Sequence, residues 1–209
     1  MSSGRFIAFE GGEASGKSTQ AARLAASLGA VLTREPGGTQ LGQYLRRLVL
    51  GPEGDDRIDI RAEALLLAAD RAQHVATVIR PALAAGRHVV TDRYAGSSLA
   101  YQGYGRGLDV EHVRRLSDWA SQGLWPDLVV LLDVPPAVAR ARMSGAGDDL
   151  DRLELAGADF HQRVADGFRA LAASSPDTWR IVDGTGDVDE VAAQVTAVVR
   201  AHFVQAKVE

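Results

Sequence analysis

The stretch Gly11-Gly12-Glu13-Ala14-Ser15-Gly16-Lys17-Ser18 constrains this chain more than any other part of it. It follows the apolar run Phe6-Ile7-Ala8-Phe9 and precedes a helical pattern beginning near Thr19. Here a strand must stop, a glycine-rich loop must wrap a polyphosphate with backbone N–H groups, and a helix must begin with its positive end aimed at the same anion. The three parts stand in that order. Lys17 and Lys207 are the only lysines, arginine serving everywhere else, so a lysine at this loop position is not a by-product of composition. A nucleotide site is therefore expected over Gly11, Gly12, Glu13, Ala14, Ser15, Gly16, Lys17, Ser18 and Thr19. Lys17 is expected to reach the β- and γ-phosphates, and the Ser18 hydroxyl to be a Mg²⁺ ligand or near-ligand.

A chain of 209 residues with 46% hydrophobic residues can bury one full core, and one domain over 1–209 is expected. The formal net charge of −4 provides no basic field for a nucleic-acid polymer. No run of 18 apolar residues appears, and the N-terminus passes into the first strand without a cleavable hydrophobic region. No membrane partner and a cytoplasmic location are the expectation. The absence of cysteine excludes disulfides, thiolate nucleophiles and Cys-based zinc sites, and the five histidines show no H-x-x-x-H spacing.

Short β-branched runs alternate with long amphipathic segments, the pattern of a parallel sheet between helical layers. The predicted class is α/β, a P-loop NTPase-type three-layer fold with a five-stranded parallel sheet flanked by helices. Strands are expected near 5–9, 30–33, 87–91, 128–134 and 178–182. Helices are expected at 17–28, 40–50, 61–85, 110–122, 136–143, 157–173 and 188–203. Pro81 lies inside the third helical pattern and lacks the N–H of the internal ladder, so a kink or restart is expected there. The Gly- and Asp-rich segment Ser144 to Asp151 reads as a mobile loop, and a lid is placed near 140–156.

Two strands end in aspartate, at Asp92 and Asp133, and a phosphotransferase needs such a carboxylate to hold the metal's waters. Asp92, followed by Arg93 and Tyr94, is preferred; for Asp133 a capping role is equally open. Arg34, Arg71 and Arg93 project near the C-terminal edge of the sheet, where open α/β proteins bind ligands. Arg140, Arg142 and Arg152 flank the Gly/Asp-rich loop, as a closing cationic lid requires. Ser97 to Gly107 combines hydroxyls, an amide, aromatics and spaced glycines. It reads as a base-and-sugar recognition segment, the plain alternative being a surface turn.

Taken together, Thr33-Arg34-Glu35-Pro36-Gly37-Gly38-Thr39, Ala68-Ala69-Asp70-Arg71-Ala72-Gln73-His74, Asp92-Arg93-Tyr94, Ser98-Leu99-Ala100-Tyr101-Gln102-Gly103 and Leu150-Asp151-Arg152-Leu153-Glu154 resemble bacterial thymidylate kinase. The resemblance runs over roughly residues 5 to 200 in the family's order. It implies transfer of the γ-phosphoryl of ATP to dTMP, giving dTDP and ADP for dTTP synthesis, with Mg²⁺, for which Ser18 and Asp92 are the ligands expected from their positions. It further implies that Arg93 and Arg46 hold the acceptor phosphate, with Arg34 a further candidate. Arg71 would contact the thymine carbonyl, Ser98 and Gln102 the remaining base edge, and the Tyr101 ring would crowd C2′. Glu13 would bind the 3′-hydroxyl, and Pro36 would follow a cis peptide bond. The phosphate loop has no arginine, so the transition-state cation would come from the lid, Arg152 first and then Arg142 or Arg140. A homodimer formed by helix packing, through the 61–85 helix, is implied as well.

Two positions depart from the family's usual pattern. Leu67 stands where an aromatic residue usually stacks on thymine, and Ala14 stands where glycine is usual. Two other readings stay open at this stage. A deoxynucleoside kinase would share the loop and lid but needs a general base, for which Glu35 would be drafted. A nucleotide-dependent switch would need a guanine-reading N-K-x-D motif, which the chain lacks.

Overall fold

The computed structural model describes residues 4–51, 58–144, 153 and 155–205. In chain order its elements are β1 (Phe6–Glu10), α1 (Lys17–Leu28), β2 (Val31–Arg34), α2 (Gln40–Leu50) and α3 (Ile60–His74). A π-helical turn (Val75–Ile79) leads into α4 (Arg80–Ala84), then β3 (Val89–Asp92), then α5 (Ala95–Ser98) with a π-helical continuation (Leu99–Gly105). There follow α6 (Val110–Ser121), β4 (Leu128–Asp133), α7 (Pro136–Ser144), α8 (Ala158–Ser174), β5 (Trp179–Asp183) and α9 (Val188–Gln205).

The five strands pair in parallel in the order β2-β3-β1-β4-β5, which is the expected α/β architecture. The three central strands are buried on both faces, which is why Phe6-Ile7-Ala8-Phe9 and Leu128-Val129-Val130-Leu131-Leu132 are continuous apolar runs. Alternation sorts them. Ile7, Phe9, Val90, Val130 and Leu132 pack under α1 and α9, whereas Phe6, Ala8, Val89 and Val129 face Val75, Ile79 and Tyr94. The chain builds β2 and β3 to one side of β1, then β4 and β5 to the other. The resulting switch point opens a crevice at the C-terminal ends of β1 and β3.

The long third helix is interrupted where Pro81 demands it. The Arg80 N–H bonds to the Val75 carbonyl, five residues back, and Pro81 enters the first turn of α4, where its missing N–H costs no internal bond. The segment after Tyr94 is helical, which its glycine content had hidden. Gly105 serves close packing there: an added Cβ would lie 2.7 Å from the Phe160 ring and 2.8 Å from Val164 of α8.

Candidate active site

The phosphate loop leaves β1 at Gly11, whose φ of 144° no other residue adopts easily and where a Cβ would meet the Leu132 carbonyl oxygen at 2.5 Å. Gly16, with φ 86°, caps α1 and turns the chain so that the first helical N–H groups face the crevice. Lys17 Nζ spans the loop, donating to the Gly12 carbonyl at 2.5 Å and to Ser15 Oγ at 3.1 Å. Burial, with the Arg93 charge adding to it, pushes the Lys17 ammonium down to about 8 against the pull of Glu13, Asp92 and Glu10. A polyphosphate in the loop would hold the charged form more firmly. Ala14 takes φ 48°, a left-handed conformation that L-residues occupy at a cost.

Ser18 Oγ donates to Asp92 Oδ2 at 2.5 Å, joining the loop to the end of β3. Asp92 Oδ1 is buried and has no partner among the described residues. Asp133 is differently occupied: both its oxygens take Arg169, at 3.0 Å each, which accounts for that strand-end carboxylate structurally.

Arg93 is the hub of the crevice. It also has a positive φ, 70°, and it donates from Nη1 to the Gly11 carbonyl (2.9 Å) and Ser97 Oγ (3.1 Å). Its Nη2 reaches Glu13 Oε1 at 2.7 Å and the Tyr101 hydroxyl at 3.1 Å, and its guanidinium lies 5.0 Å from the centre of the Tyr101 ring. Tyr101 donates in turn to Glu13 at 2.5 Å. Burial alone would raise the Glu13 carboxyl; Arg93, Lys17 and the Tyr101 hydrogen bond outweigh it and hold Glu13 at about 2. Burial likewise opposes the Arg93 charge, and Glu13 and its neighbouring carboxylates keep it cationic.

A pocket continues from Glu13 and Arg93 into the space between α2, α3 and the helical segment after Tyr94. Pro36, Arg46, Leu67, Arg71, Ser98, Tyr101 and Gln102 line it, so nine of the ten side chains expected around the acceptor are gathered there and only Arg34 lies outside its wall. Arg34 is exposed at the end of β2. The Glu35-Pro36 bond is cis, and Arg46 Nη1 donates to the Pro36 carbonyl at 3.2 Å.

Arg71 is fixed on three sides. Its Nε donates to Glu35 Oε2 (2.9 Å), Nη1 to Ser117 Oγ (3.1 Å) and Nη2 to Ser98 Oγ (3.0 Å). Glu35 is spent in this arrangement: it is 4% exposed, and its other oxygen pairs with His74 Nδ1 at 2.8 Å. Gln102 Nε2 donates to Glu63 Oε1 at 2.8 Å, while Gln102 Oε1 is buried without a partner among the described residues.

On the donor side, Arg142 donates to the Ala14 carbonyl (3.3 Å) and to the carbonyls of Gly184 (3.0 Å) and Thr185 (3.2 Å), so it braces the phosphate loop against the end of β5. Arg140 lines a small recess beside Gly12 and Glu13. Arg152 lies outside the described residues, as does most of the expected lid.

Sequence reasoning missed Asp70 as part of this wall, and Glu63 and His74 as the partners of Gln102 and Glu35 behind it. A signal was available, because 63, 67, 70, 71 and 74 recur at helical spacing on one face of α3. It also missed Leu50 and Leu153, which lie beyond local pattern, and Glu10, the one acidic residue closing a wholly buried strand.

Comparison with known proteins gives one answer. The sequence model of the family Thymidylate kinase matches residues 9–195. The thymidylate kinase of Clavibacter sepedonicus is 52% identical over 204 residues, covering 95% of each chain. That of Leifsonia xyli subsp. xyli is 53% identical over 197 residues, covering 92% of each. The crystal structure of thymidylate kinase from Ehrlichia chaffeensis superposes with a TM-score of 0.77 at 30% identity, over 95% of this chain and 100% of that one.

Proposed function

This chain belongs to the thymidylate kinase family, which phosphorylates dTMP to dTDP with ATP, and on that premise we propose how its own side chains carry the transfer. The γ-phosphoryl passes directly to the dTMP phosphate with no covalent enzyme intermediate. A phosphate monoester is already an adequate nucleophile at neutral pH, so no general base is needed. The engagement of both Glu35 oxygens, one by Arg71 and one by His74, carries this reading over a deoxynucleoside kinase, whose base that residue would have to be.

Catalysis then rests on positioning and charge. The loop N–H groups and Lys17 hold the donor phosphates. Arg93 and Arg46 hold the acceptor phosphate, with Arg34 at the entrance, and Arg142 and Arg152 meet the charge that develops on the group in flight. Arg71 addresses a thymine carbonyl across from Ser98, and the unpartnered Gln102 Oε1 is the acceptor for the thymine N3–H. Glu13 takes the 3′-hydroxyl, and the Tyr101 ring, tied to Glu13, closes the space a 2′-hydroxyl would need.

Ser18 and the unpartnered Asp92 Oδ1 fit Mg²⁺ and its waters. Among the described residues no group of three or more His, Cys, Asp or Glu could hold an ion alone, so phosphate and water oxygens would complete the shell. Held by Ser18 and Asp92, Mg²⁺ would supply positive charge to neutralise the phosphates. A homodimer is supported by Leu65 of α3 and Trp119 of α6, which are 58% and 79% exposed on two helices that pack together. A cytoplasmic setting suits an enzyme of free nucleotides, and among the described residues no helix is long and apolar enough to cross a membrane.

The test is a coupled ADP-release assay with ATP and Mg²⁺, offering dTMP, dUMP, thymidine, dCMP and AMP side by side. Strong preference for dTMP is expected. Turnover with thymidine and none with dTMP would refute the monophosphate reading.

A further inference from the structure

Glu10 has no part in the roles assigned above, yet it bonds to the segment that carries Arg93 and Ser97. It ends β1 directly before the phosphate loop and is fully buried. Its carboxylate accepts three hydrogen bonds from one short segment: Oε1 from the Tyr94 and Ser97 N–H groups at 3.0 Å each, and Oε2 from Ser97 Oγ at 2.6 Å. Ser97 Oγ accepts in turn from Arg93 Nη1 at 3.1 Å. A serine hydroxyl carries a single proton. An ionised carboxylate can only accept, so that proton goes to Glu10 and a lone pair is left facing Arg93. The acid thereby sets the direction of the chain Arg93 to Ser97 to Glu10.

Two further observations give this chain work. Arg93 sits at φ 70°, and a strained non-glycine residue persists only where its surroundings over-determine it. Nor does packing supply all of that restraint. A cavity of about 300 Å³ lies behind the segment, walled by Glu10, Tyr94, Gly96, Leu99, Trp125 and Trp179. A turn bordered by such a space is free to relax into it unless hydrogen bonds hold it.

We propose that Glu10 is a positioning residue for the acceptor phosphate, holding the Arg93 guanidinium in its binding pose through Ser97. The inference rests on the reading of Arg93 as the ligand of that phosphate. Gln at this position keeps the shape and one acceptor oxygen, but its amide donates to Ser97 where the carboxylate accepted, so the serine proton loses its acceptor and Arg93 must share the Ser97 oxygen with a second donor.

Steady-state kinetics of Glu10→Gln, Ser97→Ala, the double variant and Arg93→Ala, each with dTMP and ATP varied separately, test the proposal. The assays are run at pH 8, above the value of about 7 to which burial pushes the Glu10 carboxyl. Glu10→Gln is expected to raise the KM for dTMP about tenfold, the size of one charged hydrogen bond, with the KM for ATP unchanged. Ser97→Ala, which removes the hydroxyl that links Arg93 to Glu10, is expected to do the same. The double variant should be no worse than the larger single effect, because both act on one guanidinium. An unchanged KM for dTMP in both single variants, both KMs rising together, or effects that multiply in the double variant would overturn it. If Arg93→Ala leaves the KM for dTMP unchanged, the Arg93 reading falls and this inference with it. A rise in Arg93→Ala without one in Glu10→Gln and Ser97→Ala removes Glu10 alone.

Discussion

The Ser18 hydroxyl donates to the Asp92 carboxylate at 2.5 Å, so the first turn of α1 and the end of β3 meet at one point of the crevice. The other Asp92 oxygen is buried and unpartnered among the described residues. An acid that orients a metal's waters typically contributes 10- to 100-fold to the ion's affinity. Asp92→Asn is therefore expected to raise the Mg²⁺ concentration for half-maximal turnover by about 10- to 100-fold. A Mg²⁺ titration of activity at saturating ATP reads this directly, and an unshifted midpoint would remove Asp92 from the metal's surroundings.

Ala14 holds the phosphate loop at φ 48°, where a Cβ crowds the following carbonyl. Ala14→Gly removes that crowding and adds some freedom to the unfolded chain, leaving a net gain of about 0.5–1 kcal/mol. For a chain of this size the melting temperature should rise by about 1–4 °C in a thermal scan. A lower melting temperature would mean that the unfolded-state entropy outweighs the strain.

The carboxyls of the crevice give stability a two-sided pH dependence. Burial raises Glu10 from 4.5 to about 7, and burial with the Glu35 charge raises Asp70 from 3.8 to about 6. The folded protein binds those protons before the unfolded chain does, so stability increases as pH falls from about 7 towards 4.5. Glu13 works the other way. With its pKa held at about 2 by Arg93, Lys17 and Tyr101 against the effect of burial, it contributes stability above its ordinary 4.5 that disappears as pH falls through 2. Urea midpoints at pH 7.5, 5 and 3 should therefore pass through a maximum. Glu10→Gln should flatten the upper limb and Glu13→Gln the lower one.

How far these features can be read from sequence depends on the range of the interaction. The phosphate loop and the C-terminal end of each strand, within one residue, were legible because each depends on neighbours in the chain, whereas the cis Glu35-Pro36 bond was implied only by the family resemblance. The helical path through Leu99–Gly105 was not. Its glycines look like turn residues until Phe160 and Val164, more than fifty positions away, are seen packed against Gly105. Buried acids were hidden for the same reason. Glu10 and Glu63 look like ordinary solvated carboxylates until Ser97, Gln102 and Arg106 arrive from distant segments to satisfy them.

Trp119 is 79% exposed and Leu65 58%, on helices α6 and α3 that pack side by side. Burying both against a second copy would remove several hundred Å² of apolar surface from water, roughly 25 cal/mol for each Å². Trp119→Glu combined with Leu65→Glu should convert a dimer to a monomer in sedimentation velocity at micromolar concentration. The unsubstituted protein sedimenting as a monomer would exclude this interface.

Leu67 lies one helical turn before Arg71 on α3, and both line the acceptor pocket. Leu50 and Leu153 line the same pocket, so on the proposed reading a thymine would meet aliphatic side chains that exclude water without offering a stacking face. An aromatic ring over the thymine adds about 1 kcal/mol beyond area burial, which is about fivefold in affinity. Leu67 is half-buried, so a larger ring can extend along the open side of the pocket. Leu67→Phe is accordingly expected to tighten dTMP binding about fivefold in calorimetry, with dUMP gaining almost as much because both bases present a π face. Weaker binding would mean that Leu50 and Leu153 already occupy the stacking position and the ring is forced against them.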